Sequence, residues 1–96
     1  MDNNERSKAF YKRLKEQLTL DTLWPAPYLY KFIVNAQLER VAEITAIFDG
    51  TNATIQTRDS SNGAYTSVSI KVNMESPEAV IEKYLEVSKL EGVISL

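Results

Sequence analysis

Apolar and polar residues alternate with a period of two in two segments in the second half of the chain. In residues 64–74 every second position from Val68 to Met74 is apolar, and in residues 53–59 the apolar residues Ala53 and Ile55 have the same spacing. Such alternation is typical of a strand with one buried face. Residues 28–34 are instead dense in aromatic and β-branched side chains, which predicts a central strand. The closing residues 93–96, VISL, predict a short last strand.

Three other segments carry apolar residues at helical spacing. In residues 4–18 a narrow stripe recurs every four positions among charged residues, which predicts one helix. A broad apolar face ending near Phe48 predicts a second helix, and Gly50 suits the residue just past its end. Ser76 followed by Pro77 predicts the start of a third helix, which continues to about Leu90.

The order of these elements predicts the fold class. A helix followed by strand, helix, strand, strand, helix and strand indicates an α+β protein with a ferredoxin-like βαββαβ arrangement. Right-handed crossovers give a four-stranded antiparallel sheet of order 4-1-3-2, with two helices on one face plus the extra N-terminal helix. Residues 1–24 are predicted as that helix with a Trp/Pro linker, and residues 25–96 as the ferredoxin-like domain. The second face of the sheet is left open.

Asn62-Gly63 predicts the hairpin between the second and third strands. Asn-Gly favours a two-residue type I′ turn, because both central residues of that turn need a positive φ. The resulting register pairs Arg58 with Ser67 and places the strongly apolar residues of both strands on one face. A shift by one residue would mix the polar and apolar sets, so the pattern supports this register.

The polar side of the hairpin supplies candidate binding residues. If Tyr30 and Phe32 point into the core, Lys31 points to the open face, beside the hydroxyls of the third strand. Cations with hydroxyls on a rigid sheet can hold an anionic group or an acidic segment of a partner. A solvated antiparallel face often alternates in the same way, so this alternative stays open. The candidate binding residues are Lys31, Arg58, Ser60, Tyr65, Ser67 and Lys71.

The first and last strands make the other half of the open face apolar, through Leu29 and Ile33 among others, and such a patch needs cover. We expect the stripe of the N-terminal helix, Phe10, Leu14 and Leu18, to cover it, in the same chain or in a symmetry mate. Two simpler interpretations are a helix that rests on its own domain and a helix that binds a partner.

Composition excludes several kinds of chemistry. The 96 residues contain no cysteine and no histidine. Disulfides, thiolate nucleophiles, thiolate metal sites and histidine bases are therefore excluded. The net charge of −2 gives no overall attraction to nucleic acid or anionic lipid. We expect a cytoplasmic protein that is not an enzyme, binds no metal and no cofactor, and has no membrane contact.

Two motifs resemble those of the YbeD-like family, a bacterial domain of unknown function. They are WPAPYLYKFIV, from Trp24, and SSNGAYTSVSI, from Ser60. The likeness extends from about residue 10 to the C-terminus. It implies a ferredoxin-like sheet similar to that of ACT regulatory domains, with no assigned activity. The chain departs from the family pattern in its long N-terminal helix and in the turn Phe48-Asp49-Gly50.

Four functions compete at this point. The first is a non-catalytic regulatory or protein-interaction module that associates with itself or with another protein. The second is a sensor of a small anionic metabolite that uses the open face. RNA binding is less well supported, because Tyr65 alone offers an exposed aromatic ring on the central strands where two or three are usual. Catalysis without histidine would need a motif such as Ser-x-x-Lys, and the sequence contains none.

Overall fold

Three helices and one antiparallel sheet make up the part of the protein that the structure describes. The computed structural model describes residues 3–35 and 38–96. The sheet order β2-β3-β1-β4 is the predicted order 4-1-3-2 read from its other edge, which confirms the α+β, ferredoxin-like fold with an extra N-terminal helix. In chain order the elements are α1 (Asn3–Asp21), β1 (Ala26–Asn35), α2 (Leu38–Ile47), β2 (Thr54–Asp59), β3 (Tyr65–Met74), α3 (Pro77–Ser88) and β4 (Val93–Ser95).

The core lies between one face of the sheet and the helices α2 and α3. Alternate residues of β1 and β3 point into it and are almost completely buried, as the period of two predicts. Ser76 caps α3, because its hydroxyl accepts a hydrogen bond from the backbone N–H of Ala79 at 3.1 Å. The core residues include Tyr30, Phe32, Val34, Ile44, Phe48, Val68, Ile70, Val72, Val80, Tyr84 and Val87.

Helix α1 lies against α3 on the helical side of the sheet, so the prediction that it covers the open face within the chain is wrong. The ring of Tyr11 stacks on Tyr84, with 6.0 Å between the ring centroids. Leu14 and Leu18 pack against the core, and the indole N–H of Trp24 donates to the carbonyl of Leu18 at 3.1 Å. The stripe therefore rests on its own domain, as one of the two simpler interpretations expected, and its contact with a second copy stays a prediction.

The docked stripe also differs by one residue from the predicted one. At 3.6 residues per turn, Leu14 and Leu18 lie between Phe10 and Tyr11 around the helix, and the docked side includes Tyr11, about 100° from Phe10. The side chain of Phe10 is accordingly 55% exposed.

Helix α1 is the longest helix, yet no helix in residues 3–35 and 38–96 combines the length and apolar character needed to cross a membrane.

The hairpin has the predicted register but a different turn. Arg58 pairs with Ser67, as predicted, and the N–H of Ser60 donates to the carbonyl of Tyr65 at 2.8 Å. The N–H of Gly63 donates to the carbonyl of Ser60 at 2.9 Å, and Gly63 has a φ of +73° while Asn62 has no positive φ. The connection is therefore a four-residue loop with one left-handed residue, and the predicted two-residue type I′ turn is wrong.

Candidate functional site: the open face of the sheet

The strand register fixes the outward side chains of the sheet, which we call the open face. One row across it joins Gln56, Ser69 and Lys31, and the next row joins Arg58, Ser67 and Ile33. Ile94 of β4 extends this second row. The open face comprises Leu29, Lys31, Ile33, Thr54, Gln56, Arg58, Tyr65, Ser67, Ser69, Lys71, Ile94 and Leu96.

Positive charge gathers on the half of the open face formed by β1, β2 and β3. Lys31 and Arg58 line a depression of about 550 Å³ together with Gln56, Thr57, Ser67 and Ser69. Lys71 lies one row further, between Thr54 and Leu29, and does not line this depression. Among residues 8–35 and 39–96, no carboxylate forms an ion pair with any of these three cations.

Apolar side chains occupy the other half of the open face. Leu29 is 59% exposed, Ile94 is 57% exposed and Leu96 is 68% exposed. The N–H of Leu96 donates to the carbonyl of Lys31 at 2.9 Å, which continues the pairing of β4 and holds Leu96 at this face. Large apolar side chains that remain this exposed beside a polar rim are typical of an interaction surface.

A second, smaller depression adjoins the charged one. It has a volume of about 170 Å³ and lies between the side chains of Ile33 and Tyr65, and its rim includes Arg58, Asp59, Ser60 and Ser67. The ring of Tyr65 is half exposed. Ile33 and Tyr65 give this depression apolar walls, whereas Arg58 and Ser67 connect it to the charged depression.

The hydroxyl of Ser60, unlike the side chains of the other five predicted binding residues, is engaged within the turn. This hydroxyl donates to Asn62 Oδ1 at 2.9 Å and accepts from the N–H of Tyr65 at 3.0 Å. Asn62 Oδ1 also accepts from the N–H of Ala64 at 3.0 Å. The hydroxyl of Ser60 therefore holds the turn together, although Ser60 also lines the smaller depression of the open face. The other five residues are Lys31, Arg58, Tyr65, Ser67 and Lys71.

Several residues of the open face are missing from the predicted binding set, and Gln56 and Leu96 differ in how clearly the sequence indicates them. Gln56 lines the charged depression beside Ser69, and the hairpin register already pairs these two residues. Leu96 follows β4 in the sequence, where the short strand VISL gives only a weak signal. The hairpin register could therefore have added Gln56 to the binding set. The position of Leu96 at the open face follows only from its backbone hydrogen bond with Lys31.

The open face can bind an anion through charge and hydrogen bonds. Lysine and arginine provide charged donors, and the side chains of Gln56 and Ser69 can donate further hydrogen bonds. Among the side chains of residues 8–35 and 39–96, no cluster of acidic groups has an arrangement that could hold a metal ion. The arrangement therefore favours recognition of a negatively charged group.

The buried tyrosines on the opposite face have a structural role. The hydroxyl of Tyr30 donates to the carbonyl of Val80 at 3.0 Å, and the hydroxyls of Tyr28 and Tyr84 share a hydrogen bond of 2.8 Å. Burial raises the pKa of Tyr30 and of Tyr84 well above the usual range. These phenols stay neutral and protonated, and their hydrogen bonds fix β1 against α3.

Comparison with known families agrees with the resemblance seen in the sequence. A family model described as "Protein of unknown function (DUF493)" matches residues 21–96. The match includes both motifs, from Trp24 and from Ser60, but it begins at the end of α1 and not near residue 10 as expected. A comparison with curated proteins found no match to this chain.

Proposed function

The chain belongs to this family of unknown function, the YbeD-like family, and we propose that it is a non-catalytic protein-interaction module. In this proposal the open face binds an acidic segment of a protein partner. The observation that carries it is the juxtaposition of three cations, Lys31, Arg58 and Lys71, with the exposed apolar side chains of Leu29 and Ile94.

Charge complementarity argues for an acidic partner. The chain as a whole has a net charge of −2, yet the outward residues of the four strands include three cations and no carboxylate. An acidic segment would meet three cations at this face with no outward carboxylate of the strands among them, which favours binding here in one orientation. The apolar half would then add contact area that excludes water.

The test compares variants that lose the same charge in different places. Lys31→Gln with Arg58→Gln removes two cations from the open face, and Lys12→Gln with Lys89→Gln removes two exposed cations elsewhere. Partners are captured from extract of the native host on each protein and on the wild type. We expect a protein that is retained by the wild type and by the Lys12 and Lys89 variant, and lost from the open-face variant.

Two further measurements decide whether that protein is the expected partner. Its binding to the purified wild type should weaken as salt rises, because screening reduces attraction between exposed charges. If the open-face variant retains the same proteins as the wild type, the proposed interaction surface is wrong. Size-exclusion chromatography with light scattering covers the case in which the partner is a second copy, since the open-face variant would then change the oligomeric state.

A small anionic metabolite is a second candidate, favoured by the charged depression itself. Its volume of about 550 Å³ is within the range of small-molecule sites. A metabolite present at 100 times its dissociation constant would stabilise the protein by about 2.7 kcal/mol. Thermal-shift measurements with carboxylates and phosphates test this, with Arg58→Gln as the variant that should lose the shift.

A further inference from the structure

The two depressions of the open face form neighbouring subsites of different chemistry. The depression of about 550 Å³, which we call the charged depression, is lined by Lys31, Gln56 and Ser69, which do not line the other. The depression of about 170 Å³, which we call the apolar depression, is lined by Ile33 and Tyr65, which do not line the first. Arg58 and Ser67 line both, so the subsites are continuous. A ligand that fills them must present a negative group and an apolar group side by side.

The strand geometry sets the distance between these two groups. Lys31 and Ile33 are successive outward residues of β1 and are therefore about 7 Å apart. Side chains two positions apart in an extended peptide point to the same side with this same spacing. In a helix, neighbouring side chains are three or four positions apart and only about 5–6 Å apart between Cβ atoms. The spacing of the subsites thus matches an extended segment.

We propose that the open face binds an extended segment of a protein partner in which an acidic side chain and an apolar side chain are separated by one residue. The acidic side chain contacts Lys31 and Arg58, and the apolar side chain enters the depression between Ile33 and Tyr65. This inference rests on the proposed function and adds to it the conformation and the side-chain pattern of the partner.

The probes are capped peptides titrated into the full-length, isotope-labelled protein and followed by nuclear magnetic resonance. The matching peptide is acetyl-Ser-Glu-Ser-Leu-Ser-amide. In acetyl-Ser-Glu-Leu-Ser-Ser-amide the two groups are adjacent and point to opposite sides of an extended chain. In acetyl-Ser-Glu-Ser-Ser-Leu-amide they have a helical spacing. Concentrations up to about 10 mM detect dissociation constants in the millimolar range.

The matching peptide should shift the amide signals of Lys31, Arg58, Tyr65 and Ser67. We expect the other two peptides to bind about threefold to fivefold more weakly, since each loses one exposed ion pair or one partly buried apolar contact. Arg58→Gln should weaken the matching peptide, and Lys89→Gln should not. Inorganic phosphate should shift Lys31 and Arg58 without Tyr65.

Three results would overturn this inference. They are no shift at the open face with the matching peptide, equal binding of all three peptides, and stronger shifts of the same signals with single-stranded oligouridine than with any peptide. Failure of the inference is separable from failure of the proposed function. If a captured partner still depends on Lys31 and Arg58, the interaction surface stands and only the spacing rule is wrong.

Discussion

The two buried tyrosines, Tyr30 and Tyr84, should make the protein sensitive to alkaline pH. Burial raises the pKa of each phenol, and the hydrogen bond to Tyr28 adds to this effect for Tyr84. In the unfolded chain the same groups ionise near a pKa of about 10. Above that pH the unfolded state binds fewer protons than the folded state, so the free energy of unfolding falls as the pH rises.

The size of this effect follows from linkage. At pH 11 each tyrosine that stays protonated in the folded state lowers the free energy of unfolding by about 1.4 kcal/mol, which makes about 3 kcal/mol for the two. The stability that the two neutral phenols contribute is fully present below about pH 10. It falls as the pH rises further, until the folded-state pKa of each phenol is reached. Urea unfolding at about pH 8 and pH 11 measures it, and a small domain of this size is suited to a two-state analysis.

Replacing one phenol separates this effect from other ionisations. Tyr84→Phe loses one hydroxyl hydrogen bond and should be about 1 kcal/mol less stable than the wild type at pH 8. At pH 11 that difference should vanish or reverse, because the variant has one ionisable phenol fewer. Lysine ionisation affects both proteins alike and cancels in the comparison.

Leu29→Ala is the control for the alkaline experiment, since it changes an exposed side chain of the open face that cannot ionise. Its difference from the wild type should be the same at both pH values. The reasoning is refuted if Tyr84→Phe and Tyr30→Phe each lose as much stability between pH 8 and pH 11 as the wild type does. That result would mean that the buried phenols do not cause the loss of stability between pH 8 and pH 11.

Four substitutions, the first two of them compared as a pair, test other parts of the structure by urea unfolding. Leu14→Ala should lower the free energy of unfolding by about 1 to 2 kcal/mol, because Leu14 packs α1 against the core. Leu29→Ala on the open face should lower it by less than about 0.5 kcal/mol. Equal losses in the two variants would contradict the docking of α1 on the core. Ser76→Ala should cost about 1 kcal/mol through loss of the α3 cap, and no loss would rule the cap out. Gly63→Ala should cost about 1 to 2 kcal/mol from its positive φ alone, since a methyl group there meets no atom within 4 Å; a neutral result would contradict the left-handed residue.

The sheet and its open face could be predicted because each strand has only two possible orientations. Val68 and Ile70 must be buried, and this decides that Ser67 and Ser69 are outward. The pairing of Arg58 with Ser67 follows from the same condition. Because the predicted binding residues are all outward positions, they lie together in the structure. The role of Ser60 could not be predicted, because a hydroxyl next to a turn can bond within the turn or at the open face.

The position of α1 and the type of turn could not be predicted by the same means. A narrow apolar stripe can pack on any uncovered apolar surface, and the sequence offered two: the open face around Leu29 and the aromatic surface around Tyr84. The stacking of Tyr11 on Tyr84 selects the second. The side chain of Asn62 accepts two hydrogen bonds within the loop, and its φ is not positive. These hydrogen bonds stabilise the longer loop, whereas a type I′ turn would need a positive φ at Asn62.

The two faces of the sheet make different contributions, and this separation makes the open-face experiments interpretable. On β3, Ile70 is completely buried, whereas its neighbour Lys71 is exposed. Substitutions at exposed positions away from such packing usually change stability by less than about 0.5 kcal/mol. A loss of binding in the Lys31 and Arg58 variant, at an unchanged free energy of unfolding, would therefore report on the open face itself. The same loss in a variant of α1 would not, because displacing Tyr11 or Leu14 also uncovers the aromatic side of the core.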